Sequence, residues 1–420
     1  MEPIEIRSLD FKSDDGCGRA HHVLLKKALI APDAMAAFED VLHAAGYDND
    51  YAVIYDENTY EALRGKHPKA RQEVILPQKD LHANERGVEL AKARLGDAKL
   101  LIAAGAGTVH DITRYICAER GMPFGSVPTA ASVDGFVSSV AAMTLGGFKV
   151  TVPSVAPDFL VADLDVIARA PLYLAASGLG DVLGKYVSLT DWEIGRAVAG
   201  EYHCRYTADL MREAVDAAYR SVAGVARGER EGFGALMKAL ILSGVAMQLS
   251  GNSRPASGAE HHISHMIELG TPWLPDVDAL HGEKVGVGTI LSLEKYRGWI
   301  GQQPDAIVRA LAAWKPYTEA LLRPVFGALT DSVMKENAAC CLAQADPERI
   351  AAHWAEIQKL LRALPEAQDV QRALAHVGGK TTLADLGIDE SKRERILTWS
   401  PMVRNRLTFM RLLHTMHLTE

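Results

Sequence analysis

Between Ser257 and Gly288 the chain reads SGAEHHISHMIELGTPWLPDVDALHGEKVGVG. Its histidines have the types and spacing to hold a metal ion. His261 and His265 stand four residues apart, so in a helix both rings leave one face. His281 follows in LHGEKVG, beyond a Pro-containing break. Neutral imidazole is the commonest side-chain ligand for zinc-like ions, and such a group can set a divalent metal over a cleft. Most histidines are structural or solvated, and His21, His22, His43, His67, His82, His353, His376, His414 and His417 are read that way. The Ser257–Gly288 group differs in its turn-prone, Gly-rich flanks and in having an acidic motif upstream.

That motif is SGLGDVLGKY, Ser177 to Tyr186. It reads as a helix entry with Asp181 in the first turn, where a carboxylate also suits the helix dipole. Two imidazoles and one carboxylate make a three-ligand metal site with an open position. The open position lets a metal polarise a substrate oxygen. Zinc suits such ligands best, and iron or nickel fit nearly as well.

A second chemistry follows the strand-like run Leu100–Ala104. GAGTVHD, Gly105 to Asp111, is a Gly-rich turn running into a helix, which offers backbone N–H groups to a phosphate. Gly105 and Gly107 let the backbone approach a pyrophosphate, and Thr108 brings a hydroxyl. The spacing is not G-x-G-x-x-G, because His110 takes the last position. Asp56, ending the run YAVIY, is placed to accept from a ribose hydroxyl, favouring NAD over NADP only weakly. The polar loop VPTAASVDGFVSS, Val127 to Ser139, carries Thr129, Ser132, Asp134, Ser138 and Ser139 at the end of another strand, where open α/β sheets bind ligands.

The elements that must position these residues change character along the chain. Tyr51–Tyr55, Glu73–Leu76, Leu100–Ala104 and Pro123–Val127 read as strands, with helical stretches around Tyr60–Leu63, Glu85–Leu95 and Asp111–Glu119. Such alternation implies a parallel sheet covered on both faces. From about Pro171 amphipathic segments dominate: Ala208–Val225, Gly234–Leu249, Pro304–Ala313, Pro347–Leu364 and Lys392–Met416. The expected architecture is α/β, with a Rossmann-like parallel-sheet domain over residues 1–170 and an all-α domain over 171–420. A cleft between such halves is a normal ligand site.

Composition removes several function classes. The 420 residues are 48% hydrophobic and 23% charged, ordinary for a globular protein. A net charge of −8, with no basic run, argues against a nucleic-acid partner. No apolar stretch is read as approaching the roughly 18 residues that span a bilayer, and the acidic start MEPIEIRSLDFKSDDG is no targeting signal. The five cysteines, Cys17, Cys117, Cys204, Cys340 and Cys341, show no ligand spacing and are read as free thiols of a cytoplasmic protein.

Taken in order, GAGTVHD, PTAASVDGFVSS, SGLGD, RPASGAEHHISH and LHGEKVGVG resemble the iron-containing alcohol dehydrogenase and dehydroquinate synthase-like superfamily. Within it the resemblance is to the sn-glycerol-1-phosphate dehydrogenase family, including its bacterial branch. The resemblance implies that Asp181, His261 and His281 hold the metal, and that His265 and Asp134 meet the substrate. It implies nicotinamide-dinucleotide contacts at Gly105, Ala106, Gly107, Thr108 and Val109, at Thr129, Ala130, Ala131 and Ser132, and at Ser138. Where the family more often has glycine or serine, Ala106 stands here. The implied reaction is reduction of dihydroxyacetone phosphate by NADH or NADPH to sn-glycerol 1-phosphate, by a homo-oligomer. Lys149, Lys185, Arg254 and Lys284 are basic residues near the motifs that could meet the phosphate, each otherwise an ordinary surface charge. The rival readings are a glycerol dehydrogenase, a dehydroquinate synthase-like cyclase, and a non-catalytic nucleotide- and metal-binding sensor.

Overall fold

A computed structural model of the chain describes residues 1–146 and 148–418. By contact it divides into two compact units, Met1–Val182 with Glu213–Asn252, and Leu183–Arg212 with Ser253–Glu420. The division by composition at residue 170 is a single cut, whereas the contact division returns the helical stretch Glu213–Asn252 to the sheet unit.

The first unit carries all nine strands of the described residues: β1 Ile4–Arg7, β2 Lys27–Ala31, β3 Tyr51–Asp56, β4 Gln72–Leu76, β5 Leu100–Gly105, β6 Phe124–Pro128, β7 Val140–Leu145, β8 Phe148–Pro153 and β9 Phe159–Asp163. Seven form one sheet in the order β1-β2-β9-β6-β5-β3-β4, parallel except for the β1–β2 pair. β7 and β8 form a separate antiparallel hairpin. The expected strands at β3, β4, β5 and β6 are present. β1, β2, β9 and the hairpin are additions the sequence reading missed.

YAVIY and LLIAA read as unbroken apolar runs because each strand is buried on both faces. Tyr51, Val53 and Tyr55 of β3 join Ile102 of β5 and Phe159 of β9 in one core. Ala52 and Ile54 point the other way and join Leu101, Ala103, Ile112 and Ile116 in a second. From β3 the chain moves outward to β4 and then returns to β5 on the other side of β3. This reversal is a topological switch point, and ligands bind at the carboxyl ends of the strands flanking it. Those ends are Asp56 and Gly105.

The helix Arg230–Ser250 corrects an expectation. It is long and apolar enough by composition to cross a membrane, yet 78% of its apolar window is buried in the protein, as in a core helix. It packs on the turn Asp134–Val137, so closely at Gly244 that a Cβ there would lie 2.3 Å from Val137 Cγ2.

Every regular element among the described residues of the second unit is a helix. The helices Ala259–Glu268 and His281–Arg297 cross where Gly288 faces Glu260, and a Cβ on Gly288 would lie 2.5 Å from the Glu260 carbonyl oxygen. Two expected long helices are broken. Pro347–Leu364 divides at His353 into Pro347–Ala352 and Trp354–Ala363. Lys392–Met416 divides around the 3₁₀ turn Ser400–Val403, where Pro401 has no N–H to continue the helix.

Candidate active site

The phosphate-type loop stands at the end of β5. The helix Gly107–Arg120 begins with Ala106 at its N-cap, and no side chain caps it. Its first-turn N–H groups are therefore available to an anion, and the helix dipole favours one there. Gly105 is sterically required, since a Cβ would sit 2.7 Å from Val109 Cβ. Its carbonyl accepts from the Thr129 N–H at 3.1 Å, joining the two polar loops. His110, unassigned by sequence, braces the same loop. Its Nδ1–H donates to the Ala106 carbonyl at 2.9 Å, and its Nε2 accepts from Ser126 Oγ at 2.7 Å. Burial pushes this imidazole down to about 3, so it is neutral.

A cavity of about 520 Å³ opens at the switch point, lined among others by Asp56, Arg64, Ala106, Thr129, Ala130 and Arg169. Asp56 is both at its rim and the N-cap of Glu57–Ala62, with Oδ1 accepting from the Thr59 N–H at 2.9 Å. Thr108 is half-buried and Val109 buried, so Val109 offers this loop backbone alone.

The second loop is held from three sides. Gly178 approaches it so closely that a Cβ would lie 2.0 Å from the Ala131 carbonyl oxygen. Ser177 Oγ donates to the Ser132 carbonyl at 3.0 Å. Arg114, fully buried, donates to the carbonyls of Ser138 at 3.0 Å and Val140 at 2.8 Å. Ser138 Oγ is engaged with the backbone of Val140, accepting from its N–H at 3.1 Å. The expected Ser138 cofactor contact therefore competes with a turn.

Asp181 is not in a first turn. The helix runs Leu172–Leu183, so Asp181 lies near its C-terminal end and the N-terminal dipole explanation falls away. SGLG reads as a helix entry because Gly is usually a boundary. Here Gly178 is kept inside the helix by the contact with Ala131. Asp181 is fully buried, and its Oδ2 accepts from the Asp134 N–H at 3.0 Å. Ser243 Oγ, from the core helix, donates to Asp134 Oδ2 at 2.8 Å.

In the second unit three imidazoles converge. Ring centroids lie 5.3 Å apart for His261 and His281, 5.8 Å for His265 and His281, and 6.2 Å for His261 and His265. Each metal-type ring has a carboxylate behind it. His261 Nδ1 stands 2.7 Å from Glu260 Oε1, and His281 Nδ1 stands 3.4 Å from Glu268 Oε1. A carboxylate accepts only, so Nδ1 carries the proton and each Nε2 keeps a lone pair. That is how metal-bound histidines are backed and their tautomer fixed, and the donor set fits a divalent ion. Glu268 also faces His265 Nδ1 at 3.5 Å and Lys284 Nζ at 2.8 Å. Hydrogen bonds from His265 and His281 hold this carboxyl well below its ordinary range despite burial. Burial pushes His265 down to about 4.

His262 points away from this group. It is fully buried, and among the described residues neither ring nitrogen has a hydrogen-bond partner. Asp191 fixes the start of the histidine helix: Oδ2 accepts from the Ala259 N–H at 2.9 Å, and Oδ1 accepts from Tyr296 Oη and the Phe409 N–H, both at 2.8 Å. Glu260, Glu268, Asp191, Arg114 and Ser243 were all missed by sequence reasoning. Only the Glu residues flanking the histidines offered a signal.

Three of the four basic candidates are not ordinary surface charges. Lys185 is fully buried, Lys284 pairs with Glu268, and Arg254 pairs with Glu201. The Lys149 side chain lies outside the described residues.

Residues 29–171 match the family described as iron-containing alcohol dehydrogenase. The chain is 35% identical over 412 residues to the glycerol-1-phosphate dehydrogenase (NAD(P)+) of Bacillus licheniformis, covering 95% of this chain and 91% of that one. It is 32% identical to the enzyme of the same name from Geobacillus stearothermophilus, covering 96% of each. Among solved structures, an iron-containing alcohol dehydrogenase from Corynebacterium glutamicum superposes with a TM-score of 0.58 at 16% identity, over 94% of this chain and 96% of that one. That likeness is one of fold.

Proposed function

The chain belongs to the glycerol-1-phosphate dehydrogenase family, and on that premise we propose that it reduces dihydroxyacetone phosphate to sn-glycerol 1-phosphate, reversibly, with NADH or NADPH and a divalent metal. It is an NAD(P)-dependent oxidoreductase of the iron-containing alcohol dehydrogenase type. The observation that carries the finer reading is identity above 30% across nearly the whole length of relatives bearing that name. We assign Asp181, His261 and His281 as the metal ligands, a carboxylate and two imidazoles able to hold such an ion. Zinc, iron and nickel all suit them. A cytoplasmic homo-oligomer is part of the proposal.

When bound, the metal supplies Lewis acidity and the nicotinamide supplies hydride. The protein's own residues do the rest. The open N–H groups after Ala106 and the Gly105 turn hold the dinucleotide phosphates, with Thr129 to Ser132 beside them and Asp56 at the ribose. Glu260 and Glu268 fix the tautomers of the ligand rings. His265, with Nδ1 turned to Glu268, presents Nε2 to the substrate hydroxyl and holds or passes its proton. Asp134 orients the substrate, itself oriented by Ser243.

The test is oxidation of NADH and NADPH by metal-loaded protein with dihydroxyacetone phosphate, followed by chiral analysis. Formation of sn-glycerol 1-phosphate, abolished by a chelator, is expected. Turnover of glycerol but not of the phosphate ester would replace this reading with a glycerol dehydrogenase. Cofactor binding with every ketone and polyol inert would leave a sensor.

Asp134→Asn separates substrate from cofactor. It keeps the backbone N–H that Asp181 accepts and the side-chain shape, leaves one oxygen to accept from Ser243 Oγ, and replaces the charge and the other oxygen with an amide NH2. The expected result is a loss of roughly 10- to 100-fold in kcat/KM, within the range of one positioning or proton-handling group, at unchanged affinity for NAD(P)H. Unchanged kcat and KM would remove Asp134 from the site.

A further inference from the structure

The cavity of about 520 Å³ at the switch point is lined wholly within the first unit, by residues at or beyond the carboxyl ends of four neighbouring strands, β9, β6, β5 and β3. The segment after β9 supplies Val166, Ala170, Pro171 and Leu174, an apolar surface suited to a flat base. Arg169 belongs to this segment and lines the same cavity with its side chain exposed. Among the described residues its guanidinium makes no hydrogen bond or ion pair. The charges that could have matched it are engaged elsewhere. Glu61 and Arg64, also on the cavity, pair with each other at 2.6 Å. Asp165, shortly before Arg169 in the chain, is held by Arg230 at 2.5 Å and Lys66 at 3.5 Å. An exposed arginine is ordinarily just solvated. This one brings an unmatched positive charge to the apolar side of a cavity whose polar side carries the carboxylate of Asp56.

We propose that Arg169 recognises the 2′-phosphate of NADPH and, with Asp56, sets the coenzyme preference; this rests on the dinucleotide reading of the cavity given above. The two coenzymes differ only at that position, a hydroxyl on NADH and an anionic phosphate on NADPH. In the ribose the 2′ carbon adjoins the carbon that bears the adenine. With the pyrophosphate on the N–H groups after Ala106 and the base against Pro171 and Leu174, the 2′ substituent lies beside the base, within reach of a residue from the same segment. Asp56 favours the hydroxyl, since a carboxylate accepts from it and repels a phosphate. Its Oδ1 already caps the Thr59 N–H at 2.9 Å, which leaves Oδ2 for the ribose. The planar fork of N–H donors on Arg169 suits a phosphate and offsets that repulsion. Asp56 holds the 2′-hydroxyl of NADH and Arg169 the 2′-phosphate of NADPH, so one cavity takes both coenzymes.

The test measures binding alone, on the full metal-loaded chain without substrate, through the fluorescence of the reduced nicotinamide. Wild type is expected to bind both NADPH and NADH. Arg169→Met should weaken NADPH by roughly 10- to 100-fold, the scale of hydrogen bonds to one charged group, and NADH by less than about twofold. Arg169→Lys keeps the charge without the fork and should recover part of the NADPH affinity. Equal weakening of the two coenzymes would put Arg169 on the pyrophosphate or the base, and unchanged affinity for both would remove it from the site. Either result overturns the proposal and leaves the dinucleotide reading standing, as does a wild type that binds NADH alone. A wild type that binds neither coenzyme overturns the dinucleotide reading, and this inference with it. Arg169 is exposed and unpaired, so neither substitution removes a packed or bonded group, and both variants are expected to fold.

Discussion

His281→Ala is expected to lose one equivalent of metal per chain and at least about a thousandfold in kcat/KM, with the helical unit still folded. A thousandfold is roughly 4 kcal/mol of barrier, the scale of a metal's stabilisation of developing charge. The fold should survive because His281 opens its helix rather than packing its core; a third of the side chain, 32%, is exposed. The cap that starts this helix is independent of the ring, since the Leu280 N–H donates to Glu283 Oε2 at 2.8 Å. Alanine is also a good residue for a first helical turn. The substitution does leave Glu268 without one partner, but Lys284 at 2.8 Å and His265 at 3.5 Å remain. His262→Ala is the matched control. Its ring lies away from the cluster, so it should keep the metal while losing stability through the cavity it opens. Metal analysis, steady-state kinetics and far-ultraviolet circular dichroism on both variants make the comparison. Full metal content in His281→Ala would sink its assignment as a ligand.

The same residues show what the sequence could carry. The histidine spacing was legible because i,i+4 geometry is local: residues 261 and 265 share a face wherever their helix packs. The glycine turn at 105–107 was legible for a similar reason, strand ending in turn and helix. Asp181 was misplaced because the sign used to find a helix start, Ser and Gly ahead of an acid, has two causes. In this protein Gly178 answers to the Ala131 carbonyl across a packed loop, and no local rule contains that neighbour. β2 and β9 were missed for the same kind of reason. They are short and pair over long sequence separation, Lys27 opposite Phe159 through Ala31 opposite Asp163. The carboxylates that back the rings were in plain sight as AEHHISHMIE, yet only packing shows that Glu260 and Glu268 each turn to a different histidine.

Acidification should unfold this protein earlier and more steeply than its carboxylates alone would. His110, His203 and His414 are held below the ordinary imidazole value of 6.5 by burial, to about 3, about 4 and about 3. None sits in the metal cluster. His110 braces the dinucleotide loop, His203 packs on Trp192 at 4.5 Å, and His414 lies against Trp399 at 5.3 Å. The sign follows from proton counting. Below pH 6.5 the unfolded chain takes up protons that the folded chain refuses until about pH 3 or 4, so the unfolded state binds more. Unfolding free energy therefore rises with pH in that window and is lost as pH falls. Each proton is worth about 1.4 kcal/mol per pH unit. Three would give a slope of about 4 kcal/mol per pH unit near pH 5, and somewhat less because His203 is only partly buried. Carboxylates with ordinary values add to this only nearer pH 4, while Asp191, raised by burial to about 7, stays protonated in the folded chain across the interval from pH 6.5 to 5 and offsets about one imidazole. Urea unfolding at fixed ionic strength across that interval should show a fall of several kcal/mol. His414→Phe, which keeps an aromatic ring between Tyr317 and Trp399 and removes one titrating group, should flatten the slope by about 1.4 kcal/mol per pH unit. A slope near zero in the wild type would mean that these rings take up protons while the protein remains folded. The loop braced by His110 would then be looser in acid than its hydrogen bonds to Ala106 and Ser126 require.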